Sequence, residues 1–534
     1  MVVNVADMDG AGAQALLGKL RATVGAAHLA TDEPTLRFFA QDANASGERP
    51  LAVVAPGTVE ELCAAVAAVT EAGCAVVPRG GGMSYTDGYT PSRRASVSFD
   101  TRRLDRVVEV NATDRYVVVE CGVTWKALND AVAPLGVRTP YWGPLSGLKA
   151  TVGGTLSQGS IFLGSGQHGS VQDSLLGLEV VTADGALLRT GACAIAHGAP
   201  FFRHFGPDLS GLFTGDCGAL GVKARAVLRL IEAPPAARCL SFTFESAKAV
   251  YATMTDTARA GLAAECFAFD PGMQKIRMKR VSLAEDMKAL GSVMKSAGGV
   301  LAGLQQGAKV VLAGRGFLKE GTFSVHYGID GRDEADADSR AEAVRRLALG
   351  HGGTEVENTL PRVMRANPFM EVNSMVGPGG ERWVPAHCAV PLSQAESLHA
   401  ACEALFARHT AALERFGIDH GYLICAVGGN AMLVEPCLYW PDERPEFVER
   451  VLEAGYLAKL PRFPQNLEAR AAAMRIREEL AELFATVGGA SFQIGKFYRY
   501  RDSQHASALA LLGALKRELD PRGLMNPGVL GFPP

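Results

Sequence analysis

The residues of this chain best suited to chemistry lie in the run Pro78-Arg79-Gly80-Gly81-Gly82-Met83-Ser84-Tyr85-Thr86. The run follows Cys74–Val77, an apolar stretch that reads as a short buried strand. Three consecutive glycines after a strand permit positive φ and leave backbone N–H groups uncovered by side chains. A concave row of such amides binds an anion, most often a phosphate or pyrophosphate. Ser84 and Thr86 would add hydroxyl donors and Arg79 a positive charge. Taken alone, the run reads equally as a glycine-rich surface turn. A second cluster, Thr151-Val152-Gly153-Gly154-Thr155-Leu156-Ser157, and a third, Thr214–Val222 ahead of a strand at Val227–Ile231, change that balance. Three such loops, each beside a strand, point to one extended ligand. Gly164-Ser165-Gly166-Gln167-His168-Gly169 spells G-x-G-x-x-G, but a strand at Leu175–Thr182 follows it where the dinucleotide fingerprint needs a helix. No G-K-[ST] follows the first loop, so the phosphate loop of P-loop NTPases is absent.

A second group of residues has substrate chemistry. Tyr498 and Arg499, within Phe497-Tyr498-Arg499-Tyr500-Arg501, could stabilise an oxyanion, a phenolate or a carboxylate alike. The same run also reads as a polar strand alternating between solvent and core. His387, ending Trp383-Val384-Pro385-Ala386-His387, could be a general base near neutral pH, or a buried, hydrogen-bonded histidine. Lys496 could neutralise an anion or be a surface charge. Tyr439, Trp440 and Asp442, after Glu435-Pro436, have the character of a pocket wall or of plain core. The eleven histidines form no H-x-H or similar cluster, so no catalytic metal is expected.

The elements that must position these groups follow from length and pattern. A chain of 534 residues is too long for one core, so at least two domains are expected. The hydrophobic share of 48% and net charge of -3, with no basic block, give no sign of nucleic acid or of an anionic membrane as partner. The first twenty residues, with Asp7 and Asp9 and no apolar core, do not read as a signal peptide, and no apolar run reaches membrane-spanning length. Eleven cysteines without a C-x-x-C pair or a haem-attachment motif suit reduced thiols, hence a soluble cytoplasmic protein. A leading arm carries one helix near Gln14–Val24. Strands are predicted at Val53–Pro56, Cys74–Val77, Ala95–Phe99, Val107–Val110, Tyr116–Cys121 and Thr322–Tyr327. Helices are predicted from Thr58, over Trp125–Ala133 and Ser339–Leu347, and over 398–415 and 466–486, with an acidic solvated turn at Asp330–Asp338. Pro234-Pro235 marks a boundary.

The order of these motifs carries a resemblance. P-R-G-G-G-x-S, then Asp114–Trp125, then Thr151–Leu156, then Asp173–Gly185, and Leu519–Gly528 near the end are similar to the vanillyl-alcohol oxidase / p-cresol methylhydroxylase family. The likeness is good over 50–231 and 490–534 and loose between them. It implies an α+β protein: a p-cresol-methylhydroxylase-type FAD-binding domain of two α/β subdomains, and an α+β cap with an antiparallel sheet. The division implied is an arm at 1–48, the FAD domain at 49–233, the cap at 234–489, and a returning segment at 490–534. FAD would be held by Pro78, Arg79, Gly80, Gly81, Gly82, Met83, Ser84 and Thr86, by Thr151, Gly153, Gly154 and Ser157, and by Asp173, Gly218, Gly221, Val222 and Asn526. Relatives often carry a flavin-linking histidine where Met83 stands, so no covalent bond is expected at this loop, while one from the cap stays open. Tyr498 and Arg499 resemble the family's phenolate-holding pair, with Tyr85 or Tyr89 in the region of a third contact; Lys496 would face reduced flavin or a substrate anion. Cys425–Met432 stands where the hydroxy-acid branch has its metal-binding histidines, and has none. The activity implied is oxidation of an alcohol carbon by hydride transfer to flavin N5, with a slight preference for a phenolic or benzylic substrate. The alternatives are a D-2-hydroxy acid as substrate, or a flavin-binding subunit without turnover. Oxygen, a quinone or a separate electron-transfer protein would take the electrons, and a homodimer is compatible with this reading.

Overall fold

The computed structural model describes residues 10–278 and 321–534, so Asp7 and Asp9 lie outside the described residues. Two larger sheets and a two-stranded pairing of Val137–Arg138 with Ile231–Glu232 build the first half. A four-stranded sheet has the order Leu29–Ala30, Ala52–Val54, Ser96–Asp100, Ala75–Arg79, the first pair antiparallel and the others parallel. Parallel strands need covering on their faces, and the helices Gly10–Val24 and Val59–Glu71 supply it through Leu16, Leu20, Leu62, Val66 and Val69. Within the segment read as a leading arm, Leu16, Leu20, Val24 and Leu29 thus pack into this layer, while Phe38 and Ala43 pack with Val372 and Phe447. Thr58 caps the second helix by accepting from Glu61 N at 3.1 Å, and Glu61 in turn accepts from Gly57 N at 2.7 Å. Next to it lies an antiparallel five-stranded sheet, Val107–Asn111, Tyr116–Glu120, Val222–Arg229, Leu175–Val181, Leu187–Gly191. The Gly164–Gly169 run forms a four-residue helix, Ser165–His168, and Leu175–Val181 after it is a strand, as the reading against a dinucleotide fingerprint requires.

The second half is an antiparallel sheet. Its strands run Thr354–Val356, Ala236–Phe244, Phe323–Gly331, Glu265–Phe269, Asp419–Val427, Ala431–Trp440, Arg382–Pro385, with Cys388–Pro391 also paired to Ala431–Trp440. Alternation sorts its residues. Met432, Val434, Leu438 and Trp440 pack under the helices Ala247–Arg259, Glu334–Gly350, Ala395–Arg408 and Leu467–Thr486. Leu433, Glu435, Cys437 and Tyr439 take the other face and line a cavity.

Three local expectations are corrected. The acidic turn at 330–338 is no loop: the strand runs to Gly331 and a helix starts at Glu334, with Asp333 accepting from Asp336 N at 2.8 Å. The single helix over 398–415 is two, Ala395–Arg408 and Thr410–Phe416, broken at His409. Residues 497–501 are not a strand, because Tyr498 N turns back to Ile494 O at 3.2 Å and Tyr500 N to Tyr498 O at 2.9 Å.

The end of the described chain closes the first sheet. Val76 N donates to Leu524 O and Asn526 N to Val76 O, both at 2.8 Å, and Met525 is buried in the same core as Leu62 and Phe99.

Candidate functional site

A cavity of about 1030 Å³ lies between the glycine-rich loops and the bare face of the antiparallel sheet. Its first wall is main chain. Gly81, Gly82, Met83 and Ser84 lie beyond the strand Ala75–Arg79, and none of their four N–H groups has an acceptor among the described residues. Gly82 has φ +69°, and a Cβ on Gly81 would overlap the Lys149 carbonyl, so side chains are excluded from this turn by position. Thr151, Gly153, Gly154 and Ser157 line the cavity from the second cluster; a Cβ on Gly153 would stand 2.6 Å from Cys121 Cβ. Gly218 and Val222 line it from the third.

Four expected cofactor residues lie outside the lining, each with another task. Thr86 is buried with its hydroxyl 3.1 Å from that of Ser84. Asp173 is exposed and caps a short turn by accepting from Ser170 N at 2.7 Å. Gly221 is needed for close packing, since a Cβ there would come 2.8 Å from Val181 O. Asn526 donates to Gly88 O at 2.9 Å and to Cys217 O at 2.5 Å, pinning two loops, while its buried Oδ1 has no partner. Arg79 touches the cavity, yet its guanidinium lies over four rings, 4.6 Å from Phe38, 4.7 Å from Phe39, 4.8 Å from Tyr89 and 5.5 Å from Phe447. It donates to Phe38 O at 3.0 Å, so the charge expected for an anion is engaged in packing.

None of the four expected catalytic side chains lines the cavity. Arg499 is the clearest correction: its side chain is 51% exposed and paired with Glu482, because the turn at 497–501 sends adjacent residues to different sides. Tyr498 points inward, and its hydroxyl accepts from His387 N at 2.7 Å. The arginine buried beside it is Arg477, which lies 3.7 Å over Phe497 and donates to Tyr85 O at 2.8 Å and Pro385 O at 3.1 Å. Lys496 joins the closing segment to the first loop, donating to Asp87 O at 2.7 Å and Thr90 O at 2.6 Å; burial lowers its pKa and lifts that of Asp87 to about 6. His387 is fully buried, stacked 4.0 Å from Phe492, and its Nε2 donates to Phe492 O at 2.6 Å. Burial drives its pKa down to about 3, which keeps it neutral at physiological pH.

The second wall is side chain. Met273, Met364, Leu423, Leu433 and Tyr439 make it apolar. Glu435 stands among them, and burial raises its carboxyl to about 7. Tyr85 completes this end, accepting from Gln493 Nε2 at 3.3 Å and set edge-on to Trp383 at 5.2 Å. Glu435 went unassigned in the sequence reading; the signal was a lone carboxylate on the apolar phase of Leu433-Val434-Glu435-Pro436-Cys437-Leu438-Tyr439. Among the described residues no group of His, Cys, Asp and Glu is placed to hold a metal, all eleven cysteines are free thiols, and no described helix is long and apolar enough to cross a membrane.

Comparison with known proteins fits this geometry. The family described as FAD binding domain matches residues 50–191, and that described as FAD linked oxidases, C-terminal domain, matches residues 233–530. The glycolate oxidase subunit GlcD of Escherichia coli K12 is 31% identical over 220 residues, 41% of this chain and 42% of that one. The D-2-hydroxyglutarate dehydrogenase of Xanthomonas citri pv. viticola is 28% identical over 255 residues, 47% of this chain and 51% of that one. The chain thus spans about half or less of the length of these curated relatives. Among solved structures, p-cresol methylhydroxylase with substrate bound superposes with TM-score 0.74 at 18% identity over 98% of both chains. The 4-ethylphenol oxidase of Gulosibacter chungangensis, in its isoeugenol complex, does so with TM-score 0.70 at 17% identity, over 99% of this chain and 98% of that one. At such identities these two structures bear on the fold alone. The residues present fit FAD: four free N–H groups form an anion cradle, glycines stand where a Cβ would collide, and the cavity continues from them to an apolar wall. With over half its length matched by the oxidase domain, the chain belongs to the FAD-linked oxidases.

Proposed function

We propose that the chain oxidises the hydroxyl-bearing carbon of an uncharged, largely apolar alcohol, an aryl or benzylic one above all. FAD supplies the hydride acceptor, and the protein supplies orientation and control of charge. One observation carries the substrate class: among the described residues that line the cavity from the antiparallel sheet of the second half, the single charged side chain is Glu435, while the lining cations on first-half strands are engaged elsewhere, Arg79 over aromatic rings and Lys223 with Asp216. A substrate carboxylate placed there would meet a like charge in a site with little water to screen it. Lys459, which also lines the cavity, is exposed and lies on a separate segment. With Arg499 in solvent and Arg477 bound to carbonyls, the substrate enters uncharged rather than as a phenolate.

A D-2-hydroxy acid is the second reading, favoured by the names of the curated relatives, which act on glycolate and D-2-hydroxyglutarate. The two solved neighbours are named for p-cresol and 4-ethylphenol, at identities that bear on the fold alone. Flavin held by Gly80–Ser84 and the two later loops would be non-covalent at Met83, whose thioether cannot make the bond a histidine makes, and acid precipitation would release the colour. The division at 49–233, 234–489 and 490–534, and an acceptor that is oxygen, a quinone or a separate protein, belong to the same proposal.

The test is anaerobic mixing of the flavin-loaded protein with 4-hydroxybenzyl alcohol, benzyl alcohol, glycolate and D-lactate. Bleaching of the flavin band by the aryl alcohols is expected. Bleaching by the hydroxy acids alone would transfer the assignment to the second reading, and no bleaching by any would leave a flavin-binding protein without this turnover.

A further inference from the structure

Glu435 has an environment that a mere wall residue would not need. It is held on the strand Ala431–Trp440 between Leu433 and Cys437, with its carboxyl at the cavity. The titratable groups facing it are Cys437 on its own strand, with Sγ 3.9 Å from Oε1, Cys425 on the neighbouring strand, Tyr85 from the first loop, Tyr498 from the closing segment, and His387. None is a cation. His387 is neutral, and its Nε2 hydrogen is given to Phe492 O, so Nδ1 carries a lone pair. That Nδ1 is buried, has no hydrogen-bond donor, and lies 3.8 Å from Glu435 Oε2. An acceptor aimed at a carboxyl suits its protonated form and gives nothing to the carboxylate. The arrangement is a carboxylate without ionic support beside an atom ready to hold its acid.

Resting on the reading of an uncharged alcohol substrate, we propose that Glu435 takes the substrate's hydroxyl proton during oxidation, and that His387 is a positioning residue holding the resulting acid through Nδ1. The balance is that of a two-electron oxidation. The O–H bond yields its proton to the Glu435 carboxylate, the C–H hydrogen leaves with its electron pair to the FAD of the site, and the carbonyl forms. The elevated carboxyl, near 7, places this exchange close to neutrality, where a general base is most effective.

Two readouts test it. Infrared titration of the wild-type protein should show the carbonyl stretch of a buried carboxylic acid disappearing as pH rises through about 7, and the band should be missing in Glu435→Gln. In His387→Phe its midpoint should move to lower pH, because the acid loses its acceptor; a purely structural histidine would not move it in that direction. In anaerobic bleaching by benzyl alcohol, Glu435→Gln should be slower by about 10²–10⁴-fold at pH 8 and should lose the rise in rate between pH 6 and 8. A wild-type protein with no carboxyl titrating between pH 6 and 8 overturns the proposal whatever the variants do. If the wild-type protein is bleached by aryl alcohols and Glu435→Gln matches it in rate and pH profile, this role falls while the substrate reading stands. If no alcohol bleaches the wild-type protein, both fall together.

Discussion

The two walls of the cavity are built on opposite principles. The glycine-loop wall offers backbone N–H groups and excludes side chains: Gly81 and Gly153 have no space for a Cβ. The sheet wall offers side chains from a regular strand, where Leu433, Glu435, Cys437 and Tyr439 could each be exchanged without disturbing the ladder. A wall of main chain recognises what every member of a cofactor class shares, whereas a wall of side chains can be retuned one position at a time. On the proposed reading, cofactor and substrate would be separated into a fixed half and a variable half.

The contrast can be broken at several points. The largest effect is expected from Gly81→Ala, whose new methyl meets the Lys149 carbonyl in a turn that cannot shift without moving the second loop. Flavin retention, read as visible absorbance per protein, should fall at least tenfold; a variant that stays fully yellow would show that the cradle is not main-chain limited. Lys496→Met comes next. It leaves Asp87, Thr90 O and Asp87 O without their shared donor, for a loss of about 3 kcal/mol in chemical denaturation. Bleaching per bound flavin should stay within about twofold, since the lysine joins the closing segment to the first loop and does not face the cavity.

The pH dependence of stability should then differ between Glu435 and His387. Glu435 has a raised pKa, so between about 4.5 and 7 the native protein holds a proton that the unfolded chain has released, and stability falls as pH rises through that window. Glu435→Gln should remove that fall, on the order of 3 kcal/mol when unfolding midpoints are compared across the window. His387 has a lowered pKa, so its contribution is present above about 6.5 and is lost as pH drops toward 3; His387→Phe should flatten that acid limb. The smallest effect belongs to Arg499→Ala, which removes an exposed pair with Glu482 and should change stability by less than about 0.5 kcal/mol and bleaching not at all. A large loss of bleaching would return Arg499 to the site.

The same contrast explains what could be read from sequence. Gly80, Gly81, Gly82, Gly153 and Gly154 were legible because a backbone cradle has few alternatives to glycine, so composition reports geometry directly. The strand at Tyr116–Glu120 was legible from a β-branched run, and that at Leu175–Val181 from a short apolar run. Tyr498 and Arg499 were read as a pair because they are neighbours in sequence; a turn rather than a strand at that point sent one inward and one to solvent. Arg477 was missed because an arginine inside the helix Leu467–Thr486 looks like surface charge until Phe497 is folded under it. Glu435 lies between these cases: its apolar phase was visible, but its nearness to Tyr85 and His387 joins positions far apart in the chain. Long-range pairings of single side chains leave no local trace.

The bond from Asn526 N to Val76 O has a consequence for how the protein is made. The strand that launches the glycine loop leaves the ribosome some 450 residues before its closing partner. Until Asn526 emerges, the Gly88 and Cys217 carbonyls it bridges are unjoined and the cradle is open along one edge. Nascent chains arrested before this residue should therefore remain colourless in the presence of FAD, and cofactor loading becomes a check that translation has passed Asn526.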